Sequence, residues 1–293
     1  MSEYGATIAH LGEARDEIKE VVEGKTSDDF LLARALRFVT DRLQKIVGLN
    51  FFPETATEYV DGFGEHLDNF TGMLKLPRPL LSLTSLTVDG TEWTLNTDFF
   101  LNPRNKTPIT GLRAAREKLW ASSADWQDTV AIEGVWGWRE NYSSAYHSAG
   151  ETVPSGGIAI GATSFTSADA NGRDAYRRTP RYAAGMLLRL GGTELAAVLE
   201  TDYGANTVYL QRGLFGTDAE AHAEADSIEI FDPDPTAVRA ALRWASYLYK
   251  RRGQFNKTTT EQDGVTVVTF PEDAPEEVLN ILAELKTGEV YAV

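Results

Sequence analysis

Two aspartates carry the sharpest chemical signal in this sequence. Asp232-Pro-Asp234-Pro-Thr236 follows the apolar run Ser227-Ile-Glu-Ile-Phe231. A strand that ends in Asp-x-Asp-x-Thr can place its first carboxylate for attack on phosphorus and its second to handle the leaving-group proton. The same residues also read as the start of a helix. Asp234 is a good cap, and Pro235 suits the first helical position, where a missing N–H is no loss. The match to a phosphohydrolase nucleophile loop is local only. Residues 237–293 supply neither an α/β domain nor a Gly-Asp-rich magnesium loop around it. The helix start is therefore the expectation, with an Asp232/Asp234 phosphohydrolase as the alternative.

Other candidates are weaker. Gly157-Ile-Ala-Ile-Gly161-Ala-Thr163 is one spacing short of a phosphate loop and lacks its lysine. Gly62-Phe-Gly64 does not complete a dinucleotide fingerprint, because Leu67 stands where the third glycine belongs. His10, His66, His147 and His222 show no metal-ligand spacing. There is no Gly-x-Ser-x-Gly elbow and no cysteine, so neither an exposed serine nucleophile nor a thiolate is expected. The aromatics Trp120, Trp126, Trp136, Trp138, Tyr142 and Tyr146 could stack on sugars or bases. A carbohydrate-binding or decoration role through Trp136, Trp138 and Tyr142 is thus a further alternative. No catalytic residue, metal or cofactor is expected.

The elements that would position these residues follow from periodicity. Leu32, Leu36, Val39, Leu43 and Ile46 recur at three- and four-residue steps, so a helix is expected from Asp28 to Gly48, with Ser27 able to cap it. A second runs from Pro235 to Arg252 with Val238, Leu242, Ala245 and Tyr249 as its stripe. A third begins near Pro275 and carries Val278, Ile281, Leu282 and Leu285 on one face. That helix is short enough to need another surface, and these four residues form a candidate partner interface, with the chain's own core as the alternative. Between the first two helices the signals are β, including a hairpin at Asp89-Gly90. A Gly/Ser-rich break from Ser143 to Gly161 marks a boundary. The expected fold is α+β: helices packed with a small antiparallel β region over 1–150 and 232–293, plus an inserted all-β barrel or sandwich over 151–231.

The chain has 293 residues, with 43 Asp and Glu against 28 Lys and Arg and a net charge of -15. That charge argues against general attraction to phosphate backbones. No run approaches the ~20 apolar residues that span a bilayer, and the N-terminal residues look like neither a signal peptide nor an anchor. Synthesis in a cytoplasm, without a membrane, is expected.

The order of the pieces is distinctive. The first helix is followed by Phe51-Phe-Pro-Glu-Thr-Ala-Thr-Glu-Tyr59, by Leu76-Pro-Arg-Pro-Leu80 entering Val88-Asp-Gly90, and by Asp98-Phe-Phe-Leu101. Val130-Ala-Ile-Glu-Gly-Val-Trp-Gly-Trp138 and the Ala- and Tyr-rich helix from Ala237 complete the series. This resembles the head-tail connector, or adaptor, family of tailed bacteriophages. Arg212-Gly-Leu-Phe-Gly-Thr217 with His222 resembles a small β-module found in such proteins. The resemblance implies a structural virion protein of the neck, made in the host cytoplasm. It implies a homo-oligomeric ring, a dodecamer, below the portal. Such a ring extends the channel through which DNA passes without specific binding, and offers a platform to a neck, stopper or tail protein. The acid excess and the apolar helical faces fit that expectation.

Overall fold

The computed structural model describes residues 5–18, 28–68, 70–121, 127–251, 259–262, 265–268 and 274–290. Its first layer is a seven-stranded antiparallel sheet. The strands are β1 (Glu54–Val60), β2 (Leu67–Asp68), β3 (Met73–Val88), β4 (Thr91–Glu92), β5 (Phe99–Asn102), β6 (Ile109–Ala114) and β7 (Val130–Trp136). Their order is β1-β7-β3-β6-β5, with β2 and β4 attached to β3. Asp89 and Gly90, at φ 49 and 73, make the tight turn between β3 and β4. Both positive φ values match a type I′ turn, whose twist suits a two-residue hairpin. Pro77 and Pro79 lack the N–H that a central strand must donate, and the β3–β6 register shifts between Lys75 and Leu80. Arg78, between them, lies 5.3 Å above the Trp136 ring and bonds Glu58, with Nε to Oε1 at 2.9 Å, and Glu54. The Pro-Arg-Pro-Leu and Gly-Val-Trp-Gly segments are therefore two sides of one contact.

The second layer is a six-stranded antiparallel sheet in the order β8-β13-β10-β11-β12-β9. It comprises β8 (Tyr146–Thr152), β9 (Ser164–Thr166), β10 (Leu187–Leu190), β11 (Glu194–Asp202), β12 (Thr207–Gln211) and β13 (Ser227–Phe231). Its strand β8 starts upstream of residue 151. A separate apolar cluster, including Phe165, Tyr182, Leu188 and Ile230, fills one side of it.

Helices α1 (Leu11–Glu17), α2 (Asp29–Val47), α3 (Pro235–Lys250) and α4 (Glu276–Val290) form the third layer. Asp234 caps α3 by accepting a bond from the Thr236 N–H at 2.9 Å, and Gly48 ends α2 in the left-handed region that favours glycine. Leu36, Val39 and Leu43 of α2 pack with Ala237, Ala240, Ala241, Trp244 and Ala245 of α3. Leu187, Leu195 and Phe231 of the six-stranded sheet close on the same cluster. The buried stripe of α3 is thus richer in alanine than the expected Val238 and Leu242, which are only partly buried. A hairpin of β14 (Thr259–Gln262) and β15 (Val265–Val268) precedes α4. No helix among the described residues is long and apolar enough to cross a membrane.

The expected fold class needs correction. Strands make up 33% of the chain and helices 23%, so the protein is mostly β, built on two large antiparallel sheets rather than on helices with a small β region. The physical reason lies in strand length. Elements such as β2, β4 and β9 are too short to show a period, and the prolines of β3 hide a strand of 16 residues. Ser27 lies outside the described residues.

Leu36 is buried where α2 meets α3. Leu36→Asp places an unpaired charge there and is expected to cost at least ~3 kcal/mol, read as a lowered midpoint of chemical denaturation. A midpoint equal to that of the parent chain contradicts the packing.

Candidate functional site

The two aspartates of the Asp-x-Asp-x-Thr segment have separate duties. Asp234 is buried and spends its Oδ1 on the cap of α3. Asp232 stands at the end of β13 in a cluster with His147 from β8 and with Asp174 and Arg178 from the loop after β9. His147 Nδ1 is 2.8 Å from Asp232 Oδ2, and His147 Nε2 is 2.9 Å from Asp174 Oδ2. Arg178 reaches Asp232 Oδ1 at 2.9 Å and Asp174 Oδ2 at 3.0 Å. Tyr176 stacks on the imidazole at 4.4 Å.

Burial works against ionisation of both carboxyls. For Asp232 it is outweighed by the His147 hydrogen bond and by the charges of His147 and Arg178, which hold the group below the usual carboxylate range. For Asp174 the Arg178 backbone N–H and the His147 side chain do the same. Both oxygens of Asp232 are thus engaged, Oδ2 with the His147 imidazole and Oδ1 with the Arg178 guanidinium, a poor state for a nucleophile that must offer a lone pair. Asp174, Tyr176, Arg178 and Asp232 line a cleft of about 510 Å³ with His10, Arg139, Arg239 and Arg243. In the same cleft His10 caps α1, and burial is the main reason its imidazole sits below its usual pKa. Among the described residues, no group of three or more His, Asp or Glu side chains is arranged to hold a metal ion.

A second ionic cluster locks the Arg212-Gly-Leu-Phe-Gly-Thr217 turn. Glu194, fully buried at the start of β11, accepts from Arg212 Nε at 2.8 Å and from His222 Nε2 at 2.8 Å. The backbone N–H groups of Gly213 and Glu220 also donate to it. Arg212 continues to the carbonyl of Ala159 at 2.6 Å. Burial raises the Glu194 pKa, yet the Arg212, Glu220 and His222 bonds together carry it below the ordinary value. The turn itself joins the two sheets. The Thr55 N–H donates to the Phe215 carbonyl at 2.8 Å, and Phe215 stacks on Phe52 at 5.2 Å. Gly216, at φ 76, lies so close to Thr55 that a Cβ would meet the Thr55 carbonyl oxygen at 1.9 Å.

The remaining candidates are structural. Trp120, Trp136 and Trp138 are buried, with Trp136 Nε1 donating to the Ala56 carbonyl at 3.0 Å, so their faces are not open to a sugar or base. Trp126 lies outside the described residues. Gly62 packs against the Trp120 carbonyl, and Ile158 of the glycine-rich segment forms a bridge with His222. His66 stands apart from the other histidines, near Glu65. Val278, Ile281, Leu282 and Leu285 are all buried in the same cluster as α2 and α3. The face first assigned to a partner is therefore taken by the chain's own core, because the alanines of α3 leave room for it.

Neither ionic cluster was visible in the sequence. Glu194 precedes Leu-Ala-Ala-Val with nothing to announce Arg212 and His222 as its partners. The one available signal was a charged residue heading a run too apolar to be exposed.

Glu194, Asp174 and Asp232 have depressed folded-state pKa values. Their contribution to stability is therefore present above the unfolded carboxylate range, about pH 4, and is lost as pH falls through the lower folded values. The melting temperature is expected to drop steeply below about pH 4. Glu194→Gln leaves Arg212 buried without its counter-charge and is expected to cost ~3–5 kcal/mol at neutral pH. A variant that melts like the parent contradicts the role of the cluster. Comparison with protein-family models, with curated proteins and with solved structures finds no match to this chain.

Proposed function

We propose that this chain is a head-tail connector of a tailed bacteriophage, a structural protein that forms a ring below the portal and receives the next neck or tail protein. The observation that carries the reading is the Arg78–Trp136 contact. It packs together the two most distinctive segments of the adaptor resemblance, Pro-Arg-Pro-Leu and Gly-Val-Trp-Gly, as parts of one sheet. The third segment, Arg212 to Thr217, docks on that sheet through Thr55 and Phe52. The resemblance thus rests on one physical unit rather than on scattered short matches.

Two further features support it. Glu194, Asp174, Asp232, His147 and His222 are spent on ionic and hydrogen-bonded contacts that hold separate elements together. The surface also keeps large apolar side chains, among them Phe38 on α2, Phe63, Phe70 and Leu119. Such side chains suit a subunit whose surface is completed by neighbours. The net charge of -15 suits a channel that DNA passes without adhering.

Sedimentation velocity and native mass spectrometry of the purified chain, alone and with the portal protein of the same virus, test this reading. The expected result is one closed oligomer, a dodecamer, that co-sediments with portal. A chain that stays monomeric in both conditions contradicts it. So does magnesium-dependent phosphate release that is lost in Asp232→Asn.

A further inference from the structure

A ring made of identical copies needs two different surfaces on each copy that fit each other. The structure offers such a pair. The first surface is a groove of about 1190 Å³ at the end of β1 remote from the joint between the sheets. Phe63 and Leu119 line it while 53% and 78% exposed, over a floor that includes Phe100 and Trp120. Arg104, Arg113, Arg116 and Lys118 surround it, and among the described residues no Asp or Glu lines it. Lys118 pairs with Asp98 at 2.9 Å. Among the described residues, Arg113 and Arg116 have no carboxylate partner. In a chain of charge -15, an apolar floor with an unbalanced basic rim is a local exception.

The second surface is the loop over 218–226, Asp-Ala-Glu-Ala-His-Ala-Glu-Ala-Asp. It has four acids and four alanines and no Lys or Arg. Asp218 and Glu224 are exposed and, among the described residues, have no cationic partner. Ile160, beside the loop, is 65% exposed. The buried cluster fixes the loop from below. The Glu220 N–H donates to Glu194 at 3.0 Å, Arg212 donates to the Glu220 carbonyl, and His222 and Ile158 exchange backbone bonds at 2.9 Å. A loop held this way loses little conformational freedom on binding.

We infer that the groove of one copy receives the 218–226 loop of the next. Within a single chain the two do not meet, since no residue of the loop lines the groove. The turn that leads into the loop touches Thr55 at the start of β1, whereas Gly62 lines the groove, roughly 20 Å further on at the usual strand rise. Copies placed head to tail bring basic rim to acidic loop and exposed Leu119 and Phe63 to alanines and Ile160. A protein segment fits the groove better than nucleic acid, because the chain as a whole repels polyanions and the groove exposes a leucine at 78% and a phenylalanine at 53%. The inference deepens the ring reading above and rests on it.

The test uses two full-length variants, Arg113→Glu/Arg116→Glu in the groove and Asp218→Lys/Glu224→Lys in the loop. All four positions are exposed, and unchanged melting confirms that the variants fold. Each variant alone is expected to self-associate at least tenfold more weakly in sedimentation velocity, because like charges then face each other across the contact. An equal mixture is expected to regain parental assembly, since alternating copies restore opposite charges at every interface. Variants that assemble like the parent, or a mixture that fails to recover, overturn the groove–loop contact while leaving a ring possible. A parent chain that remains monomeric, even with portal, overturns the ring reading itself. Loss of single-stranded DNA oligonucleotide binding in the groove variant with assembly intact gives the groove to nucleic acid and also overturns the inference.

Discussion

The small side chains of α3 set the terms for the rest of the molecule. Ala237, Ala240, Ala241 and Ala245 are fully buried, and their lack of bulk lets other elements approach the helix axis closely. Leu36, Val39 and Leu43 come from α2, Val278, Ile281 and Leu282 from α4, and Leu187, Leu195 and Phe231 from the six-stranded sheet. One helix thus receives material from both ends of the sequence and from the second sheet. Its position is fixed at one end by the Asp234 cap beside the Asp232 cluster, and at the other by Tyr249, whose hydroxyl donates to Asp28 at 2.8 Å. Enlarging any of these alanines would force its neighbours apart, because close-packed interiors have no spare volume.

The ionic clusters do for the sheets what the alanines do for the helices. His147, Asp174, Arg178 and Asp232 tie β8, the loop after β9 and the entry to α3 at one point. Glu194, Arg212 and His222 hold the turn by which the six-stranded sheet grips β1. Neither arrangement is the cheapest way to gain stability, since well-packed apolar residues often serve as well. Their advantage is geometric. Directional bonds fix a loop in one conformation, where apolar packing alone would leave it freer to shift.

Legibility in the sequence divided along physical lines. The helices were readable because amphipathic periodicity is local: the boundaries of α2 and α3 fall within a residue or two of those inferred, and Asp234-Pro235 marked a helix start. The Asp89-Gly90 hairpin was readable because only a few residue types tolerate both positive φ values. The β character between the first two helices was readable, but its extent was not, since β2, β4 and β9 are too short to show a period and the prolines of β3 mask a strand of 16 residues. Helix α1 also escaped, being only 7 residues long and started by a histidine cap. The candidate sites were the least legible part. Residues that looked chemical, such as Asp234 and Trp136, proved structural, while Glu194 and Arg113 carried no local mark of their environments.

The proposal that this protein works by assembly draws on the fold, the engaged ionisable groups and the paired surfaces. Electron microscopy of the purified chain bound to portal is the most direct test of that claim. The account requires closed rings seated on the portal, with an axial opening wide enough for duplex DNA and the six-stranded sheet of each copy against the seven-stranded sheet of the next. Images showing isolated particles, open chains or no density on the portal would contradict it.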